Sequence, residues 1–92
     1  MFINKLIATL DGEDDITVIK EKRKITVYVN DEESVIMKEV LNFKGEGLCV
    51  GGTYYPSTNT LLFYYNVLVH LGYKVTVIGK LEKIPFMAGV VY

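Results

Sequence analysis

The chain has 92 residues, of which 50% are hydrophobic and 23% are charged, and its net charge is −1. This length fits one compact domain over residues 1–92, and the composition is that of a globular chain and not of a disordered one. The small net charge argues against a general electrostatic partner such as duplex DNA or an anionic membrane surface.

The N-terminal stretch MFINKLIATLDGEDD has neither the basic start nor the long apolar core of a signal peptide. The most hydrophobic region, residues 61–71, falls short of the roughly 20 apolar residues that a membrane span needs. Cys49 is the only cysteine, so no disulfide can form within the chain and a reducing compartment is expected. These features predict a cytoplasmic protein that does not cross a membrane.

Two elements are predicted before residue 30. Apolar residues at positions 2, 3, 6, 7 and 10 follow a helical spacing that Asp11-Gly12 would end, although the run also fits the beginning of a strand. Residues 16–29 alternate β-branched and polar side chains on both sides of a charged tetrapeptide, which predicts a β-hairpin that turns around Glu21 to Lys24.

Residues 31–45 fit two structures. Asp31 as a cap, acidic residues in the first turn and Lys44-Gly45 at the end are typical of a helix. In that helix one face would carry Ile36, Met37, Val40, Leu41 and Phe43, and the other Lys38, Glu39 and Asn42. Alternation from Val35 to Phe43 also fits a third strand of a meander. We predict the helix, followed by a short strand at residues 48–50.

The most informative segment runs from Gly51 to Val75. Pro56, a cap oxygen from Ser57 or Thr58, and a stop at Leu71-Gly72 predict a helix. Its polar stripe is only about 80–100° wide on a helical wheel, and it consists of Asn59, Asn66 and His70. Such a helix is either enclosed within the fold or shared with a partner.

A strand is predicted at residues 73–80, and the closing FMAGVVY is expected to form an edge strand or a docked tail, either within the chain or with a partner. The predicted fold class is α+β. A small antiparallel or mixed sheet, built from the early hairpin and C-terminal strands, would be packed by one strongly apolar helix and one or two amphipathic helices.

No catalytic or metal-binding set can be assembled from the sequence. His70 and Cys49 are single residues of their types, with no third group to orient them as a nucleophilic pair. The acidic runs 11–15 and 31–33 lack the ligand spacing of calcium loops. We therefore predict a protein that is not an enzyme and has no cofactor and no metal.

The predicted function is protein interaction, as a homodimer or with another protein, in a regulatory or accessory role. Five of the seven tyrosines lie in or beside the apolar helix, and tyrosine is enriched in interface cores. The predicted interface consists of Tyr54, Tyr55, Leu61, Tyr64, Tyr65, Leu68 and Tyr73.

Two alternatives remain open. The first is a small-molecule or anion site at residues 51–60, formed by Gly51, Gly52, Ser57 and Thr58, because a helix start offers unpaired N–H groups. The glycines of GEGLCVGG, however, do not have the spacing of a nucleotide-binding fingerprint. The second is weak nucleic-acid contact through the basic hairpin tip, Lys20 to Lys24.

Overall fold

A computed structural model describes residues 4–50 and 59–79 of the chain, except for the side chains of Cys49 and Val50. The elements in these ranges are β1 (Asn4–Thr9), β2 (Ile16–Glu21), β3 (Lys24–Val29), β4 (Glu32–Glu33), α1 (Val35–Val50), α2 (Leu61–His70) and β5 (Lys74–Ile78). The strands form one open antiparallel sheet in the order β4-β3-β2-β1-β5. The fold is therefore α+β, as predicted, whereas the expectation for FMAGVVY lies outside the described residues.

The helix predicted over residues 2–10 is wrong from Asn4 onward, because this segment is strand β1. The strand is paired on both sides, with Leu6 opposite Val18 of β2 and Val77 of β5. Leu6 and Ala8 are buried on one face of the sheet. Pairing with two neighbours thus imposes a period of two on a sequence whose apolar residues also fit a helix.

The predicted hairpin is confirmed. β2 and β3 pair from Ile16 opposite Val29 to Glu21 opposite Lys24. The two-residue turn places Lys22 at φ +55°, a left-handed backbone conformation that residues other than glycine adopt infrequently. The hairpin forms without an Asn-Gly turn, because the alternating β-branched residues bury one face of each strand.

Helix α1 begins later than predicted. Asn30 and Asp31 both have positive φ, +49° and +68°, and form the two-residue turn between β3 and β4. Asp31 is therefore not the helix cap. Ser34 takes that role, because its Oγ accepts a hydrogen bond from the Met37 N–H at 3.0 Å.

Helix α1 also continues past its predicted end at Gly45 and includes residues 48–50, which were predicted to be a strand. Gly45 is buried against α2. A Cβ at this position would overlap the Phe63 ring and lie 2.9 Å from Val67 Cγ2. The glycine thus permits the close approach of two helices in place of ending one.

The inner face of α1 contains two polar side chains that were predicted to lie opposite the apolar face. Lys38 Nζ donates a hydrogen bond of 2.7 Å to the carbonyl oxygen of Ile25 in β3. Asn42 Oδ1 accepts one of 3.0 Å from Tyr64 Oη in α2. Leu41, on the same side, is fully buried. These bonds orient α1 so that part of its apolar surface faces away from the core.

The ends of α2 are set by local hydrogen bonds. The cap is Thr60, and not Ser57 or Thr58, because Thr60 Oγ1 accepts from the Phe63 N–H at 3.2 Å. The predicted stop at Leu71-Gly72 is confirmed. Gly72 has φ +93°, its N–H bonds to Val69 O, and the Tyr73 N–H bonds to Leu68 O, both at 3.0 Å.

Candidate functional site

Helix α2, the predicted interaction surface, lies in the interior. It packs against β1, β2, β5 and α1. Three predicted interface residues, Leu61, Tyr64 and Leu68, have no exposed surface, so contacts within one chain account for their apolar character. Tyr65 and Tyr73 are partly buried at the edge of the same core. Tyr54 and Tyr55 lie outside the described residues, and their part in an interface stays a prediction.

The narrow polar stripe of α2 is only partly at the surface. Asn59 and His70 are exposed. Asn66, which was expected between them, is 5% exposed, and its Nδ2 has no hydrogen-bond partner among the described residues. The helix is therefore buried around almost its whole circumference, and Asn66 is buried with it. This is expected for a helix that is covered on more than one side.

Tyr64 connects the two helices. Its ring meets the Phe63 ring edge to face, with centroids 5.1 Å apart and an interplanar angle of 85°. Its hydroxyl donates to Asn42 of α1. Burial raises the pKa of this phenol above its ordinary value of 10.0. The neutral phenol is thus part of the contact that holds α1 on α2.

The Tyr64→Phe variant should lose about 1 kcal/mol of unfolding free energy at neutral pH, the typical contribution of one hydrogen bond. Because the folded-state pKa is raised, the stabilisation that depends on the neutral phenol is fully present below the unfolded-state value of 10.0 and is lost as pH rises through the folded-state pKa. Urea titrations from pH 8 to 11 should therefore show a shallower alkaline loss of stability in the variant. Equal slopes for the variant and the wild type would contradict this role.

An apolar stripe remains on the outer side of α1. It consists of Ile36, Val40 and Phe43, and we call it the outer stripe. Ile36 and Phe43 are each 77% exposed, and Val40 is 36% exposed. The spacings of four and three residues place the three side chains on one face of the helix. The sequence prediction grouped these residues with Met37 and Leu41, which pack on the core instead.

The face of the sheet that α1 and α2 leave uncovered contains a shallow depression of about 410 Å³. Lys5 at its border is accompanied by Asp15 and Asp31, so charges of both signs line it. Asn30 is already bonded there, since its Oδ1 accepts from the Asp15 N–H at 3.1 Å and its Nδ2 donates to Asp14 Oδ1 at 2.9 Å. These bonds connect two turns, which is a structural role.

The basic hairpin tip is exposed from Glu21 to Lys24. A neighbouring depression is lined by Lys22, Arg23 and Lys24 together with Glu21 and Glu33. The two glutamates partly neutralise the positive charge that would attract a phosphate backbone. Nucleic-acid contact through residues 20–24 stays a prediction.

The residues of the anion alternative, Gly51, Gly52, Ser57 and Thr58, lie outside the described residues, and that site also stays a prediction. Over residues 4–50 and 59–79, no group of three His, Cys, Asp or Glu side chains is arranged to hold a metal ion. Neither helix in those ranges combines the length and the apolar character needed to cross a membrane.

Comparison with known proteins gives no relative. No protein-family model, no curated protein sequence and no solved structure matches the chain. On the helices of the described part of the chain, the outer stripe is the most apolar exposed feature.

Proposed function

We propose that the chain is a small, non-catalytic protein-interaction domain whose contact surface is the outer stripe of α1. The observation that carries this proposal is the 77% exposure of both Ile36 and Phe43 on one helical face. Single exposed apolar residues are common on protein surfaces, but a contiguous apolar row is typical of a binding site. A partner helix or groove that covered the row would remove two large side chains from water.

The shape of the surface supports helix packing over capture of a small ligand. The outer stripe is a convex row on one helix, whereas small-molecule sites are concave. Side chains spaced by four and then three residues form the ridge that packs into a second helix or an apolar groove. The interaction is thus expected to be with a protein.

The non-catalytic part of the proposal rests on the amino-acid content. The chain has one histidine and one cysteine, and His70 is exposed at the end of α2. The sequence identifies no third group that would orient His70 and Cys49 as a nucleophilic pair, and a usual zinc site needs at least three protein ligands. A single cysteine also agrees with the reducing, cytoplasmic compartment expected from the sequence.

Photo-crosslinking in the cells that make the protein tests the proposal. A benzophenone amino acid replaces Phe43 in one version of the chain and Glu13, which is exposed in the turn between β1 and β2, in a matched control. We expect a discrete protein adduct from position 43 and not from position 13. Equal or absent crosslinking at the two positions would contradict an interaction through the outer stripe.

A further inference from the structure

We propose that the partner of the outer stripe is a second copy of this chain, with the two α1 helices packed side by side, parallel and in register. This inference rests on the proposed function, because it names the protein that covers the same surface. Three features of α1 support this arrangement: the position of the stripe, the charges on its two sides and a glycine within it.

The outer stripe lies opposite the buried side of α1. With Ile36 at 0° on a wheel of 100° per residue, Phe43 falls at about −20° and Val40 at about +40°. Leu41 and Gly45, which are buried against the rest of the fold, fall at about 140° and 180° on the same wheel. A second helix can therefore approach the stripe directly, without displacing contacts among residues 4–50 and 59–79.

The two sides of the stripe carry opposite charges. Glu39 and Glu46 fall at about −60° and −80°, and Lys44 falls at about +80°. All three side chains are exposed. One border of the stripe is thus acidic and the other basic, and this asymmetry decides how two identical helices can pair.

Only the parallel arrangement brings unlike borders together. When a two-fold axis runs along the pair of helices, the acidic border of one copy faces the basic border of the other. When the axis runs across them, the helices are antiparallel and each border faces its own copy, so that glutamates oppose glutamates. Such pairs across the seam determine orientation in coiled coils.

The spacing of the charges also matches a parallel pair. Lys44 follows Glu39 by five residues, the separation at which charged residues on the two borders of a parallel seam meet across the interface. The two-fold axis creates the contact twice, from Glu39 of each copy to Lys44 of the other. The in-register alignment is the one that forms both contacts.

Gly47 lies on the continuation of the stripe, at about +20° on the wheel. It is exposed, and a Cβ added there would meet no atom of residues 4–50 and 59–79 within 4 Å. Contacts among the described residues therefore do not require a glycine in this turn, where alanine would favour the helix. In a pair of α1 helices Gly47 has a role, since its missing side chain lets the two backbones approach closely.

Charge reversal tests the arrangement by sedimentation equilibrium at low salt. We expect the wild type to pass from the 10.4 kDa monomer to a dimer as concentration rises. Glu39→Lys and Lys44→Glu should each weaken the dimer about tenfold, because exposed pairs contribute modestly and the symmetry counts each change twice. The double variant Glu39→Lys/Lys44→Glu, which exchanges the charges, should restore the wild-type dissociation constant. Thermal unfolding of the dilute variants verifies that each is folded.

Three results would overturn the inference. A wild type that stays monomeric at every concentration removes the second copy. If that chain still forms an adduct with another protein at position 43, the proposed function stands and only the identity of the partner is wrong. A double variant that associates no better than the single variants removes the Glu39–Lys44 contact. A Glu39→Lys variant that associates more tightly than the wild type indicates antiparallel helices.

Discussion

The Leu68→Ala variant should lose about 2–5 kcal/mol of unfolding free energy, the usual effect of truncating a leucine in a packed core. Leu68 has no exposed surface, and α2 packs against three strands of the sheet and against α1. The lost volume is therefore surrounded by residues that cannot all move to fill it. Because the contacts lie within one chain, the loss should be the same in dilute and in concentrated solution.

The matched control is Phe43→Ala, the truncation of a larger side chain on α1. In dilute protein we expect its unfolding free energy to stay within about 0.5 kcal/mol of the wild type, since Phe43 is mostly exposed. Urea titration of both variants at low concentration gives the comparison. A loss for Phe43→Ala as large as that for Leu68→Ala would show that the outer stripe is part of the core.

The second large effect is expected at Gly45. Alanine usually favours a helix over glycine by about 1 kcal/mol, but a Cβ at position 45 would overlap the buried Phe63 ring and crowd Val67. We expect the Gly45→Ala variant to lose about 1–3 kcal/mol of unfolding free energy, because overpacking forces α1 and α2 apart.

Gly47→Ala is the control for that substitution, two residues further along the same helix. Within the part of the chain that the structure describes, the added Cβ meets no atom within 4 Å. The variant should therefore gain about 0.5–1 kcal/mol from helix propensity alone. Thermal or urea unfolding of dilute protein measures both variants. Changes of the same sign would mean that α1 does not approach α2 at Gly45.

Local signals in the sequence predicted the elements whose bonds are local. Alternation over residues 16–29 predicted the hairpin, and Leu71-Gly72 predicted the end of α2, because the residues that form these features are adjacent in the chain. The fold class followed from them. The helix caps Ser34 and Thr60 and the Asn30-Asp31 turn are residue types that favour these roles. Several neighbouring residues could have filled the same roles, so the sequence alone does not select among them.

The features that the sequence did not predict depend on contacts between segments that are distant in the chain. Residues 4–9 become a strand because two partners, from β2 and β5, pair with them. In the sequence Gly45 is typical of a helix end, but in the structure it is glycine because Phe63 of α2 occupies the space beside it. Long-range packing therefore overrides local preference at both places.

The candidate surface was missed for a related reason. A helix that is apolar around most of its circumference can be buried within its own fold or shared with a partner. The packing of α1 on α2 supports burial of α2 within the fold. In α1 the sequence pattern places all the apolar residues on one face. Lys38 and Asn42 instead bond inward to Ile25 and Tyr64, which turns the outer stripe toward solvent. The sequence signal for the stripe was the spacing of Ile36, Val40 and Phe43, which alone does not say which side is buried.

Hydroxyl-radical footprinting read by mass spectrometry tests most directly which helix meets the partner. In dilute protein, Phe43 should be oxidised rapidly and the buried Tyr64 slowly. In concentrated protein, Phe43 should become protected while the rate at Tyr64 does not change. Rapid oxidation of Tyr64 in dilute protein, followed by protection of Tyr64 and not of Phe43 on concentration, would contradict an interface on the outer stripe and would place it on α2.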